Sequence, residues 1–177
     1  DHFMARSCLV WSPIQSTNEG HLELPLRIAD AIEGPIFTHS CPDTLLGDGI
    51  EDTEFIEFNK KSAIDKIVGK TPFDTLNRVF QYASWKPPAE YDSFVTRGPA
   101  AVHVTHRIGQ THIHYFEGSF RGPFLHKDVY DTFHNRSELS KTIRRPLRHY
   151  LRTTIQASVN TIDTVVVNSE WTRDVVE

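Results

Sequence analysis

Short apolar runs bounded by polar or turn-forming residues alternate along the chain with stretches whose apolar residues recur at helical spacing. That alternation predicts βαβ units and an open parallel sheet. Residues 7–11 (SCLVW) read as the first strand and residues 12–20 (SPIQSTNEG) as a polar loop after it. Leu22, Leu26, Ala29 and Ile32 then follow a helical period, with Pro25 tolerable only in a first turn and Gly34 ending the helix. Residues 35–39 (PIFTH) and 54–58 (EFIEF) predict a second and a third strand, separated by a turn-rich stretch over 41–52. Helical segments fill 60–68 and 72–85. After the breaker Lys86-Pro87-Pro88, a fourth strand is expected over 91–96 (YDSFVT), ending at Arg97-Gly98-Pro99, where a helix can begin. Residues 110–116 (QTHIHYF) read as a fifth strand, and 117–130 as a loop rich in glycine and aromatics. Pro146 suits the first turn of a long helix with core positions Leu147, Leu151, Ile155 and Val159. Residues 162–167 (IDTVVV) form the sixth expected strand, with Asn168-Ser169 as the cap of a helix beginning at Glu170.

At 177 residues with 38% hydrophobic content, the chain is long enough for one core that buries roughly 70% of the unfolded surface. A net charge of −4 argues against nucleic acid bound along a generally basic surface. No apolar run reaches transmembrane length, so a cytoplasmic protein, at most peripheral on a membrane, is expected. Cys8 and Cys41 are too few for a disulfide scaffold and lack the paired spacing of a zinc site. Asp1-His2-Phe3 ahead of Met4 is no signal peptide and reads equally as a vector remnant or as native chain. The chain is expected to be a single domain over 1–177, cut at a domain boundary inside its last helix.

In an open parallel sheet the ligand lies outside the carboxyl ends of the strands. The positions to weigh are therefore residues 12–21, His39-Ser40, Arg97-Gly98, residues 117–121 and 168–170. Glu19, Gly20 and His21 open the first helix, where unpaired N–H groups favour an anion; without a GxGxxG fingerprint, a dehydrogenase-type dinucleotide site is disfavoured. Arg97 either touches ligand or pairs with an acid.

The stretch 112–124 (HIHYFEGSFRGPF), a polar-to-basic segment, a helix and then 165–176 (VVVNSEWTRDVV) together resemble the N-terminal domain of family 4 (group 1) retaining glycosyltransferases. In that family a strand of the form hIxYxHTPPR precedes a loop, and a later strand ends iaNSxxtxxxi just before a helix. Ile113, Tyr115 and Arg121 fall in register with the first pattern, and Asn168, Ser169, Thr172 and Val175 with the second. Residues 34–40 (GPIFTHS) resemble the family's second strand and 21–32 its first helix, so the likeness covers most of the chain. It implies the N-terminal, acceptor-side half of a GT-B architecture, with Rossmann-like domains facing a cleft and helices on both faces of the sheet. The C-terminal domain that binds the nucleotide-sugar donor is absent from this chain, which alone is expected to be inactive. No cofactor or metal is implied beyond the donor as substrate; substrate contacts are expected from Glu19, Gly20, His21, Arg97, Arg121, Asn168 and Ser169. The sequence departs from the family where Glu117 replaces the histidine of HTPPR and Ser119 and Phe120 replace its prolines. Glu117 is the candidate catalytic residue, able to accept a bond from a sugar hydroxyl or act as a base, though it repels phosphate. Paired with Arg121, it is equally a loop carboxylate.

Ten histidines raise the question of a metal. His112 and His114, two apart, lie on one face of a strand and could chelate, but no third ligand is evident, so none is expected. His103 and His106, at i and i+3 on an expected helix, read as surface or packing residues. Between Leu139 and Ile162 there is no acid, while Lys141, Arg144, Arg145, Arg148 and Arg152 concentrate positive charge. Arg144, Arg145 and Arg148 could meet anionic headgroups, at about 1 kcal/mol per basic residue near the surface; a solvated helix face is the plainer reading. Outside catalysis, the same crevice would suit a non-catalytic α/β module that binds a ligand or a protein.

Overall fold

In the computed structural model the described residues are 5–12, 14, 19–47, 52–58, 74–116, 138–170 and 173. They form six parallel strands: β1 (Ser7–Trp11), β2 (Ile36–Thr38), β3 (Phe55–Glu57), β4 (Ser93–Arg97), β5 (Thr111–Phe116) and β6 (Thr164–Val167). Their order in the sheet is β3-β2-β1-β4-β5-β6. This is the Rossmann-like α/β arrangement, in which the chain winds outward from β1 in both directions and places the topological switch point at the carboxyl ends of β1 and β4.

β1 is central and lacks polar alternation because both of its faces are covered. Cys8 and Val10 pack with Phe37 and Phe94 against Tyr82 of α3 (Asp74–Ser84) and the 3₁₀ turn Ala101–His103. Leu9 and Trp11 face the other way, toward Leu22 and Ala29 of α1 (Glu19–Ala31) and Leu45 of α2 (Asp43–Gly47). The register carries this two-sidedness outward: Phe94 pairs with His112 and Thr96 with His114, so those four share the α3 face. On that side, Ile155 and Val159 of α4 (Glu138–Val159) pack with Val165 and Val167 around Val102 and Phe116. No helix among the described residues is long and apolar enough to cross a membrane.

The strands lie where periodicity puts them, within a residue or two. The helices differ more. α1 begins at Glu19, so Pro25 stands inside the helix rather than in its first turn, where its buried ring contributes packing. α4 begins eight residues ahead of Pro146. The stretch 41–52 contains the short α2, and the expected helix after Arg97-Gly98-Pro99 is only the 3₁₀ turn. Gly34 does not take the left-handed cap; Glu33 does, at φ 49°. Gly34 is required for a different reason: a β-carbon there would meet the carbonyl oxygen of Ser7 at 2.1 Å. The expected helix over 60–68 lies outside the described residues.

Candidate functional site

At the point where strand order reverses, three strand ends are tied together by short polar bonds. Ser12, immediately after β1, donates its hydroxyl to the Arg97 carbonyl at 2.9 Å. The Thr38 hydroxyl, at the end of β2, donates to the Ser12 carbonyl at 3.2 Å. The Ile14 N–H reaches the Ser40 carbonyl at 2.9 Å, joining the loops after β1 and β2. From below, the buried Tyr82 hydroxyl donates to the Trp11 carbonyl at 2.6 Å. Burial and these bonds leave the end of β1 little freedom.

Arg97 closes this cluster. Its guanidinium carbon lies 4.7 Å from the centroid of the Trp11 ring, which is itself buried. Such stacking stabilises by about 0.5–2 kcal/mol and fixes the plane of the guanidinium. Gly98 follows at φ 100°, a conformation that suits glycine. The chain turns there directly over Ser12, whose hydroxyl leaves no room for a β-carbon. His39 is buried beside the cluster, its ring set edge-on to Phe58 at 6.3 Å.

Of the positions weighed from sequence, the fold brings together Ser12, His39-Ser40 and Arg97-Gly98. Asn168 and Ser169 are exposed at the end of β6, two strand spacings from β4, or about 10 Å. The Arg173 N–H donates to the Ser169 carbonyl at 3.1 Å, so Ser169 begins a helical turn as expected. Glu19, Gly20 and His21 form the first turn of α1. Glu117 and Arg121 lie outside the described residues. Arg144, Arg145 and Arg148 are on α4, with Arg145 exposed and the last turns of the helix packed through Ile155 and Val159. The residues missed by sequence reasoning are Trp11, Thr38 and Tyr82. Trp11, the last residue of a buried strand before a polar loop, carried the one usable signal.

The HxH pair of β5 is buried rather than open to a ligand. Thr96 Oγ1 lies 2.7 Å from His112 Nε2 and 2.7 Å from His114 Nδ1. His112 stacks on Phe94 at 4.5 Å. Burial lowers His112 to about 4, with His106 adding to the effect and Asp163 opposing it. His114 is lowered to about 3, mainly by burial and then by His112 and His103. His103 is also buried, not a surface residue, and is lowered to about 4 by burial. Among the described residues no three His, Cys, Asp or Glu side chains are grouped to hold a metal.

At the opposite end of the sheet an open cavity of about 310 Å³ lies among Asp30, Glu33, Asp52 and Glu54. Its acidic lining and its distance from the carboxyl ends of the strands make it a poor place for a phosphate-bearing ligand. Comparison with protein-family models, with curated proteins and with solved structures finds no match to this chain.

Proposed function

We propose that this chain is the acceptor-side domain of a retaining glycosyltransferase, which passes a sugar from a nucleotide-sugar to a glycan or lipid-linked acceptor. The observation that carries the reading is the convergence of Ser12, His39-Ser40 and the Trp11-stacked Arg97 at the switch point of a β3-β2-β1-β4-β5-β6 sheet. The resemblance of residues 112–124 and 165–176 to the group 1 family supports it. Here Arg97 binds an anionic or hydroxyl-rich part of the acceptor, with Ser12 and Gly98 holding its backbone. Donor binding belongs to a second Rossmann-like domain across the cleft. The reaction needs positioning and charge stabilisation of the departing diphosphate, and no metal is required by this reading.

Glu117 follows β5 directly and is the residue proposed to position the acceptor or stabilise positive charge developing on the sugar. The test is a donor-hydrolysis and transfer assay on the full-length protein beside this 177-residue chain. Turnover is expected only from the former, with a loss in kcat on the order of 10²-fold for Glu117→Gln. Robust turnover by the chain alone, or a full-length protein inert toward every nucleotide-sugar donor, would refute the reading. The second outcome would favour a binding module built on the same crevice.

A further inference from the structure

The most unusual feature outside the strand-end site is the group of buried imidazoles around the 3₁₀ turn and the β4–β5 pair, one of which reaches α4. His103, at the end of the 3₁₀ turn, places Nδ1 2.7 Å from Ser158 Oγ of α4, while its Nε2 is buried with no hydrogen-bond partner. His112 Nδ1 is likewise buried with no hydrogen-bond partner. His112 and His114 share the Thr96 hydroxyl, which has one proton to give, so at least one imidazole must donate to it. The arrangement holds together with all three rings neutral. A proton added at His103 Nε2 or His112 Nδ1 would sit on a buried atom without an acceptor, and its solvation requires the layer to open.

The groups facing His103 and His112 offer little compensation. His103 meets Ser158 from α4 and His114 from β5; His114 meets His112 and His103. His112 meets His106 from the loop after the 3₁₀ turn and Asp163 from the segment before β6. Asp163 already accepts the His112 backbone N–H at 2.8 Å. α3 also packs on the 3₁₀ turn and carries Arg78, a further positive charge. Among the described residues, Val102 and Phe116 are buried in this layer and Ile155 and Val159 of α4 are half-buried against them. The other half of the sheet has its own buried histidine, His39, set apart against Phe58 and Tyr82.

We propose that His103, His112, His114 and Thr96 form an acid-sensitive latch holding the 3₁₀ turn and α4 on the β4–β5 side of the sheet, and that its protonation releases α4 before the β1–β2–β3 side opens. Because Thr96 precedes Arg97 on β4, the latch also governs how firmly the strand-end crevice is held.

Hydrogen exchange followed by mass spectrometry on the 177-residue chain tests this at pH 7.5 and 5.0, after correction for intrinsic exchange. For a histidine at about 4 when buried and about 6.5 when exposed, opening is favoured about 30-fold between those conditions. Protection over residues 138–159 should fall by at least that factor, while α1 and β1 change less. Parallel loss over α1 and α4 would overturn the latch. His103→Asn, which keeps a polar side chain but does not titrate, should remove about 30-fold of the pH effect on α4; an unchanged effect would overturn it. Should that variant fail to fold, nitrogen-15 spectra of the wild-type imidazoles decide the matter. The three rings are expected to remain neutral at pH 5.5, and titration of all three near pH 6.5 would refute the proposal. His149→Asn, on the exposed side of the same helix, is expected to leave the pH effect intact, and its loss there would point away from the latch.

Discussion

Gly98→Ala tests whether the turn after β4 is built around Ser12. The new β-carbon would stand 1.8 Å from Ser12 Oγ and 3.2 Å from Ser12 Cβ, at a φ of 100°. Holding alanine at positive φ costs about 1–2 kcal/mol. Relieving the contact requires the Ser12 side chain to rotate away and give up its 2.9 Å bond to the Arg97 carbonyl, a further loss of about 1 kcal/mol. The single variant should therefore lose about 2–3 kcal/mol, and Ser12→Ala alone about 1 kcal/mol. In the double variant the hydroxyl is already gone, so the bond cannot be lost twice. Adding Ser12→Ala to Gly98→Ala should cost almost nothing, leaving the pair about 1 kcal/mol more stable than the sum of the single effects. Urea unfolding of the four proteins, with m-values compared to confirm a common transition, measures each term. Additivity within about 0.3–0.5 kcal/mol, or a Gly98→Ala variant as stable as wild type, would refute the reasoning.

Tyr82→Phe removes the hydroxyl that donates to the Trp11 carbonyl at 2.6 Å and leaves that acceptor poorly satisfied. A loss of about 1–3 kcal/mol is expected by urea unfolding, and a neutral result would show that the bond contributes nothing. Burial, aided by the charge of Glu90, pushes the Cys8 thiol up to about 12, so at pH 8 it should react with a thiol reagent only as fast as the sheet opens. Labelling as quick as that of a free thiol would contradict its burial. For the basic segment of α4, co-sedimentation with anionic vesicles should weaken as salt rises and vanish when Arg144, Arg145 and Arg148 are reversed to glutamate. Absence of binding at low salt would leave those residues as a solvated helix face.

Sequence alone determined the class of fold and the identity of its strands. SCLVW marks the central strand because a strand covered on both faces needs a nearly continuous apolar stretch, and PIFTH, EFIEF, YDSFVT and IDTVVV mark its neighbours as short β-branched or aromatic runs between turn-forming residues, signals that are local. The rule that ligands lie beyond the carboxyl ends of such strands also selected Arg97-Gly98 and His39-Ser40 without coordinates. Helix limits were less legible. Pro25 and Pro146 read as first-turn residues, yet both stand inside helices, since tertiary packing of an amphipathic face can outweigh a missing hydrogen bond. Gly34 shows the same division. Its presence after a helix reads as a cap, but what forbids a side chain there is the Ser7 carbonyl, 27 positions away in the chain.

The strand order could not be read from periodicity, and it is the order that makes β1 and β4 neighbours. Only then do Trp11 and Arg97 stack and Ser12 and Gly98 meet, across about 85 residues of chain. The histidines depend on it most. The spacing of His112 and His114 told only that they share a face, which served a metal ligand and a buried residue equally well. Pairing β5 to β4 set Thr96 between them, and the packing on that face buried both rings. Burial and hydrogen-bond partners are properties of what lies across the sheet, so the tertiary structure alone decided that these imidazoles are neutral core groups.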